Sequence, residues 1–166
     1  MKPLALVLLS AAVGGSIAGC GASAPRSHPS TVTTARNRVA DPVNRAVARP
    51  RLVRVSQTAY GIALTDGHGF ALYRFTHDAG AASTCYGACA VAWPPYLVRG
   101  KVTRGSADGG LVGTIRRTGG RLQVTYAGHP LYYYVGDRRP GQVLCQGVVE
   151  FGGGWYVVAP SGHLIR

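Results

Sequence analysis

The segment Leu72-Tyr73-Arg74-Phe75-Thr76-His77-Asp78 returns 59 residues later as Leu131-Tyr132-Tyr133-Tyr134-Val135-Gly136-Asp137. Both copies read Leu-Tyr-x-aromatic-x-x-Asp. The correspondence continues beyond this motif, because Cys85 aligns with Cys145 and Trp93 aligns with Trp155. The sequence therefore predicts a duplicated unit, with repeat one at about residues 58–98 and repeat two at about residues 112–165. Units this small cannot each hold a core, so we expect them to pack on each other as one domain.

The folded part of the chain has the pattern of an all-β domain. Short runs of β-branched and aromatic residues alternate with Gly-rich turns, and no stretch sustains a period of 3.6 residues. We predict a small antiparallel meander with hairpins at 59–75, 122–135 and 155–165 and a further strand at 112–116. The Asp66-Gly67 turn is a strong signal for the first hairpin. Residues 78–90 and 137–154 are predicted loops.

The N-terminus predicts export. A basic start at Lys2 precedes a short apolar run at residues 4–12, which indicates a signal peptide over residues 1–19. The run is too short to span a membrane, which takes about 20 apolar residues. Cys20 directly after Ala18-Gly19 resembles the lipobox of bacterial lipoproteins, which implies that Cys20 is lipidated and begins the mature chain. The alternative is an ordinary secreted protein that is cleaved nearby, with Cys20 incidental.

Residues 20–54 are predicted to form a disordered basic tether in front of a folded domain at 55–166. Seven arginines against Asp41 alone give residues 21–54 a charge of +6, which is half of the chain's +12. Arginines near a membrane are attracted to anionic lipid by about 1 kcal/mol each. We therefore expect the tether to bind anionic lipid or a cell-wall polymer, and we expect no nucleic-acid partner for an exported protein.

The combination of motifs resembles a family of bacterial secreted lipoproteins that are built from tandem repeats. The resemblance rests on the doubled Tyr-x-aromatic-x-x-Asp motif, on residues 85–90 before Trp93-Pro94-Pro95, and on residues 123–126 before Pro130-Leu131-Tyr132. It covers about residues 58–162. The resemblance implies a lipid-anchored protein outside the cytoplasm, and the family has no established activity.

The aromatic residues of each motif copy are two residues apart, so on a strand they share a face. We interpret this face as core, and we expect the motif aspartates to cap the following turns through N–H groups two residues on. The alternative is a ligand or cation site that requires the two Asp loops to converge. The residues concerned are Tyr73, Phe75 and Asp78 in repeat one and Tyr132, Tyr134 and Asp137 in repeat two.

The cysteines predict a disulfide and an odd thiol. Cys85 and Cys89 are separated by three residues, and outside the cell such a pair is expected to be oxidised. Three cysteines after Cys20 cannot all pair within one chain, so we expect Cys145 to be free or to pair across the repeats and leave another thiol over. The alternative function is a redox, metal or haem-handling lipoprotein that uses Cys85, Cys89 and His77.

No catalytic signature is present. The sequence lacks Gly-x-Ser-x-Gly and His-Glu-x-x-His, and Glu150 is the only glutamate. We therefore predict a protein that is not an enzyme and has no cofactor. The leading hypothesis is a non-catalytic binding or scaffold module of the cell envelope with an unknown ligand.

Overall fold

The computed structural model describes residues 52–166, so the predicted signal peptide, Cys20 and nearly all of the predicted tether lie outside the described residues. The regular secondary structure of the described part is strand apart from one short helix, which confirms the predicted all-β class. The strands are β1 Leu52–Thr58, β2 Gly61–Asp66, β3 Tyr73–Phe75, β4 Leu97–Val98, β5 Thr103–Arg104, β6 Val112–Arg116, β7 Leu122–Tyr126, β8 His129–Pro130, β9 Val149–Glu150 and β10 Gly153–Val157, and the helix α1 is Ala88–Ala92.

The strands form three small sheets with the orders β2-β1-β5, β3-β10-β9 and β4-β7-β6, and β8 also pairs with β7. Strand β1 pairs in parallel with β5 and antiparallel with β2. The remaining pairs are antiparallel. Two of these pairs join the repeats, because β3 of repeat one pairs with β10 of repeat two and β4 pairs with β7.

The sequence did not predict strand β1. Strand β1 begins at Leu52, so residues 52–54, which were assigned to the tether, belong to the sheet. Val53 of this strand is fully buried, whereas Arg54 is exposed. The strand that was predicted from Ala59 is β2, which begins two residues later at Gly61, because residues 59 and 60 form the turn between β1 and β2. Thr58 closes this turn through its hydroxyl, which accepts from Tyr60 N at 3.1 Å and donates to Gly61 O at 2.8 Å.

The segment at 78–90 is not entirely loop, because Ala88–Ala92 forms a helix of one turn. The N–H of Trp93 bonds to the carbonyl of Cys89 at 2.7 Å and closes the helix, and Pro94 and Pro95 follow it. The predicted strand at 130–135 is shorter than expected, since β8 ends at Pro130. Strands β6 and β7 and the Asp66 turn are where they were predicted. In that turn the Oδ1 of Asp66 accepts from His68 N at 2.9 Å and Phe70 N at 3.0 Å.

One hydrophobic cluster draws on both repeats. Its buried members are Val53, Leu64, Leu72, Tyr96, Val98, Ala107, Val124, Tyr126, Leu131, Tyr133 and Val158. The repeats are therefore interlocked and share this core. Within residues 52–166, no helix has the length and apolar character needed to cross a membrane.

Candidate functional site

The two motif copies meet each other directly. The backbones of Tyr73 and Tyr132 form a β-bridge in which the N–H of each residue donates to the carbonyl of the other at 2.9 Å. Other hydrogen bonds between the repeats also occur in equivalent pairs, in which each residue is replaced by its counterpart from the other repeat. The bond from Leu64 N to Val158 O at 2.7 Å is equivalent in this sense to the bond from Val124 N to Tyr96 O at 2.8 Å. The motif bridge therefore lies on an approximate two-fold axis that relates the repeats.

At this junction of the repeats, the motif tyrosine of each repeat donates a hydrogen bond to the motif aspartate of the other. The hydroxyl of Tyr73 donates to Asp137 Oδ2 at 2.7 Å, and the hydroxyl of Tyr132 donates to Asp78 Oδ2 at 2.7 Å. All four side chains are buried. The doubled motif thus encodes two reciprocal Tyr–Asp hydrogen bonds that join the repeats.

The second oxygen of each aspartate holds its own loop. Asp78 Oδ1 accepts from Thr84 N at 2.7 Å and from Thr84 Oγ1 at 2.9 Å, and Asp137 Oδ1 accepts from Leu144 N at 3.0 Å. The expected bonds to N–H groups two residues on are therefore corrected to contacts six and seven residues on. Each aspartate closes a wide loop with one oxygen and bonds the opposite repeat with the other.

The remaining motif aromatics stack in a column with the two tryptophans. The ring centroids of Trp93 and Trp155 are 4.0 Å apart and their planes differ by 5°. Phe75 of repeat one stacks on Trp155 of repeat two at 4.1 Å, and Tyr134 of repeat two lies on Trp93 of repeat one at 4.8 Å. The expectation that the motif aromatics are core holds for Tyr73, Phe75 and Tyr132, whereas Tyr134 is only half-buried.

The repeats differ in how they support this column. In repeat one, helix α1 leads into Trp93 and is tied by the predicted disulfide between Cys85 and Cys89, whose Cα atoms are 5.3 Å apart. In repeat two, the β9–β10 hairpin leads into Trp155. Glu150 of this hairpin links the two repeats, because its Oε2 accepts a hydrogen bond from Trp93 Nε1 of repeat one at 3.1 Å.

A buried arginine that sequence reasoning missed extends the junction. Arg117 is 5% exposed, and its guanidinium donates to Ser83 Oγ at 2.6 Å, Gln123 Oε1 at 2.6 Å and Cys85 O at 2.5 Å. Its guanidinium carbon lies 4.2 Å from the centre of the Tyr86 ring. All three acceptors are neutral, and the run Arg116-Arg117 in the sequence does not indicate which arginine turns inward.

Arg117 connects to the motif through a directional chain of hydrogen bonds. Since Ser83 Oγ accepts from Arg117 and Tyr132 donates to Asp78, the Ser83 hydroxyl donates to Tyr132 Oη, at 2.8 Å. A buried cation is thus coupled to a buried carboxylate through two hydroxyl groups. Repeat two has no equivalent, because the residue that aligns with Ser83 is Val143.

Burial and the neighbouring carboxylates keep the motif tyrosines protonated. Burial, followed by the charge of Asp137, raises the pKa of Tyr73 far above its ordinary value. Burial, followed by the charge of Asp78, likewise raises the pKa of Tyr132. Both hydroxyls therefore remain hydrogen-bond donors throughout the physiological pH range.

The other predicted site residues are not brought together as a metal or redox centre. The sulfur atoms of Cys85 and Cys89 are bonded to each other, and the His77 ring packs against Phe75 with centroids 5.7 Å apart. No group of three or more His, Cys, Asp or Glu side chains in residues 52–166 is placed to hold a metal ion. Cys145 is buried and no described cysteine is free, so the prediction of a free thiol at Cys145 is wrong.

Comparison with known proteins gives one match. The model of the family described as "secreted repeat of unknown function" matches residues 54–96 and 113–159, which correspond to the two repeats. No curated protein and no solved structure matches the chain.

Proposed function

This chain belongs to the family of secreted repeats of unknown function, and from that premise we propose that it is a non-catalytic module held at the outer face of the cell membrane by a lipid on Cys20. The family's description as secreted supports a location outside the cytoplasm. The lipid anchor is inferred from the lipobox-like sequence before Cys20.

The reciprocal Tyr–Asp bonds are the observation that carries the non-catalytic role. A catalytic acid, base or nucleophile must reach a substrate, and it is found within hydrogen-bond reach of a reacting group. The motif tyrosines and aspartates instead lie in the interior and bond to each other and to their own loops. The part of the molecule available to a partner is therefore its surface.

The described surface is strongly basic, which supports an anionic component of the cell envelope as the partner. Three of the five acidic side chains in residues 52–166 are buried and Glu150 is half-buried, which leaves Asp108 as the only exposed acid there. The exposed cationic side chains in the same range are Arg54, Arg99, Lys101, Arg116, Arg121, Arg138, Arg139 and Arg166. Together with the arginines of the predicted tether, they favour binding to anionic lipid or an anionic wall polymer.

The location is tested with the variant Cys20→Ser expressed in a bacterial host that carries out lipoprotein processing. The wild-type chain should remain in the membrane fraction after a high-salt wash, and the variant should be released. A variant that stays in the membrane fraction would contradict the lipid anchor.

Mass spectrometry of the mature N-terminal peptide gives an independent readout. Acylation turns the thiol of Cys20 into a thioether, which excludes Cys20 from any disulfide. A peptide that begins at Cys20 and carries acyl chains supports the proposal. An unmodified or disulfide-linked Cys20 refutes it.

A further inference from the structure

An arginine-rich edge of the β4-β7-β6 sheet has no role in the junction of the repeats. Val98 of β4 pairs with Leu122 of the antiparallel strand β7. Arg99, directly after Val98, and Arg121, directly before Leu122, therefore lie at the adjoining ends of these two strands. On the other side of β7, Arg116 pairs with Leu122. Arg99, Arg116 and Arg121 are exposed, and we call them the arginine edge.

The buried Arg117 adds a fourth positive charge behind this edge. Its backbone N–H donates to Arg121 O at 2.9 Å, so two arginines are opposite each other in the ladder. Like charges placed opposite each other destabilise a sheet. The hydrogen-bond acceptors of Arg117 are neutral, so they satisfy its N–H groups without cancelling its charge.

The exposed arginines are available to a ligand. Arg116 donates to Gly120 O at 2.8 Å, which fixes its guanidinium above the β6–β7 turn. In the described part of the chain, no hydrogen bond or ion pair engages the side chains of Arg99 and Arg121. The guanidinium group forms two parallel hydrogen bonds to phosphate oxygens, so phosphate is the chemistry that such a cluster recognises.

The position of the edge relative to the tether indicates where the phosphate comes from. The described chain begins at Leu52, which pairs with Thr103 of β5. Thr103 is four positions after Arg99 in the sequence, so their Cα atoms are at most about 14 Å apart. Lys101 lies between them in the sequence, is exposed, and lines a groove with β6 residues Val112 to Thr114. Leu52, to which the preceding segment is joined, therefore lies on the same side of the domain as the arginine edge.

We propose that the arginine edge binds phosphate groups of anionic lipids and so docks the folded domain onto the membrane surface. This inference rests on the proposed function in that it takes the membrane to be near the domain. It adds a binding site in the folded domain itself, separate from the lipid and from the charge of the tether.

The test uses the mature chain, residues 20–166, produced without its signal peptide so that no lipid is attached. Sedimentation with vesicles of phosphatidylglycerol and phosphatidylcholine gives the partition coefficient at low salt. The double variant Arg99→Gln/Arg121→Gln should bind about 25-fold more weakly than wild type, that is about fivefold for each arginine. Vesicles of phosphatidylcholine alone should bind neither protein, and added salt should weaken binding.

The matched control is Arg138→Gln/Arg139→Gln, which removes two exposed arginines of another loop and changes the net charge equally. This variant should keep most of the wild-type binding. Equal losses in the two double variants would show that only net charge matters, and no loss in either would show that the edge does not bind; both results overturn the proposal. Near-UV circular dichroism confirms that each variant is folded.

Titration with inorganic pyrophosphate, followed by amide chemical shifts, separates free phosphate from lipid. Shifts confined to the amides of residues 99–101 and 116–121, together with edge-dependent vesicle binding, support the proposal. Shifts at these amides without edge-dependent vesicle binding would make the edge a site for soluble phosphate and refute membrane docking. Because the assay protein carries no lipid, a failed Cys20 experiment and a failed arginine edge are distinguishable.

Discussion

Removing one motif hydroxyl tests the interlocking of the repeats. Tyr73→Phe deletes the donor to Asp137 Oδ2 and leaves a buried carboxylate oxygen without that hydrogen bond. Loss of a hydrogen bond to a charged group costs about 1.5–3 kcal/mol. We therefore expect the free energy of unfolding to fall by about 2 kcal/mol, measured by urea denaturation and circular dichroism.

Tyr132→Phe should cost more than Tyr73→Phe. It deletes the donor to Asp78 and also the acceptor of the Ser83 hydroxyl, which stands between Tyr132 and Arg117. A second, neutral hydrogen bond adds about 1 kcal/mol, so we expect a loss of about 3 kcal/mol. The control is Tyr60→Phe, whose side chain is 46% exposed. It should change stability by less than about 0.5 kcal/mol.

A double-mutant cycle decides whether the contact crosses the repeats. Tyr73→Phe combined with Asp137→Asn should show a coupling energy of about 1 kcal/mol or more, because the two side chains share one hydrogen bond. Tyr73→Phe combined with Asp78→Asn, the aspartate of the same repeat, should be closer to additive. Coupling of Tyr73 to Asp78 with none to Asp137 would refute the exchange of tyrosines between repeats.

Three further perturbations test the same structure. The raised pKa values of Tyr73 and Tyr132 mean that the unfolded state loses these protons first as the pH rises, so stability should fall above about pH 10 by about 1.4 kcal/mol per pH unit for each tyrosine. Urea titrations of wild type and Tyr73→Phe/Tyr132→Phe check this, and an equally steep fall in the variant would contradict it. Replacing both Cys85 and Cys89 by Ser opens a short loop, since the cysteines are four positions apart, and should cost about 2 kcal/mol in a urea titration; unchanged stability would show that the disulfide contributes nothing. Gly162→Ala and Gly128→Ala both put alanine at positive φ, but only the Cβ at 162 would lie 2.7 Å from another atom, Ala127 Cβ. Gly162→Ala should therefore lower the free energy of unfolding, measured by urea titration, by about 1–3 kcal/mol more than Gly128→Ala does. Equal losses would exclude the steric contribution.

The features of this structure that depend on residues close together in the chain could be predicted from the sequence. The Asp66 turn, strands β6 and β7 and the Cys85–Cys89 disulfide each involve residues close together in the chain, and all of them are where they were predicted. Strand β1 was missed for a local reason too. Its arginine and polar residues continue the composition of the tether, and only the burial of Val53 and Thr58 marks it as part of the sheet.

The hydrogen-bond partners of the motif aspartates could not be predicted from local chemistry. An aspartate before a Gly-containing segment favours a bond two residues on, yet Asp78 and Asp137 bond to residues further along and to the opposite repeat. The position of Arg117 has the same origin, since Ser83 and Cys85, which accept its hydrogen bonds, belong to the other repeat.

An export signal pattern, a basic N-terminal segment and two copies of one β unit can be recognised without coordinates, because they follow from composition and from the spacing of motifs. The role of the doubled Leu-Tyr-x-aromatic-x-x-Asp motif, in contrast, depends on contacts between residues that are far apart in the chain. Tyr73 and Asp137 are 64 residues apart, and Tyr132 and Asp78 are 54 residues apart. The two pairs form because neither repeat can bury its aromatic face alone, so the repeats pack on each other and exchange their hydroxyl donors.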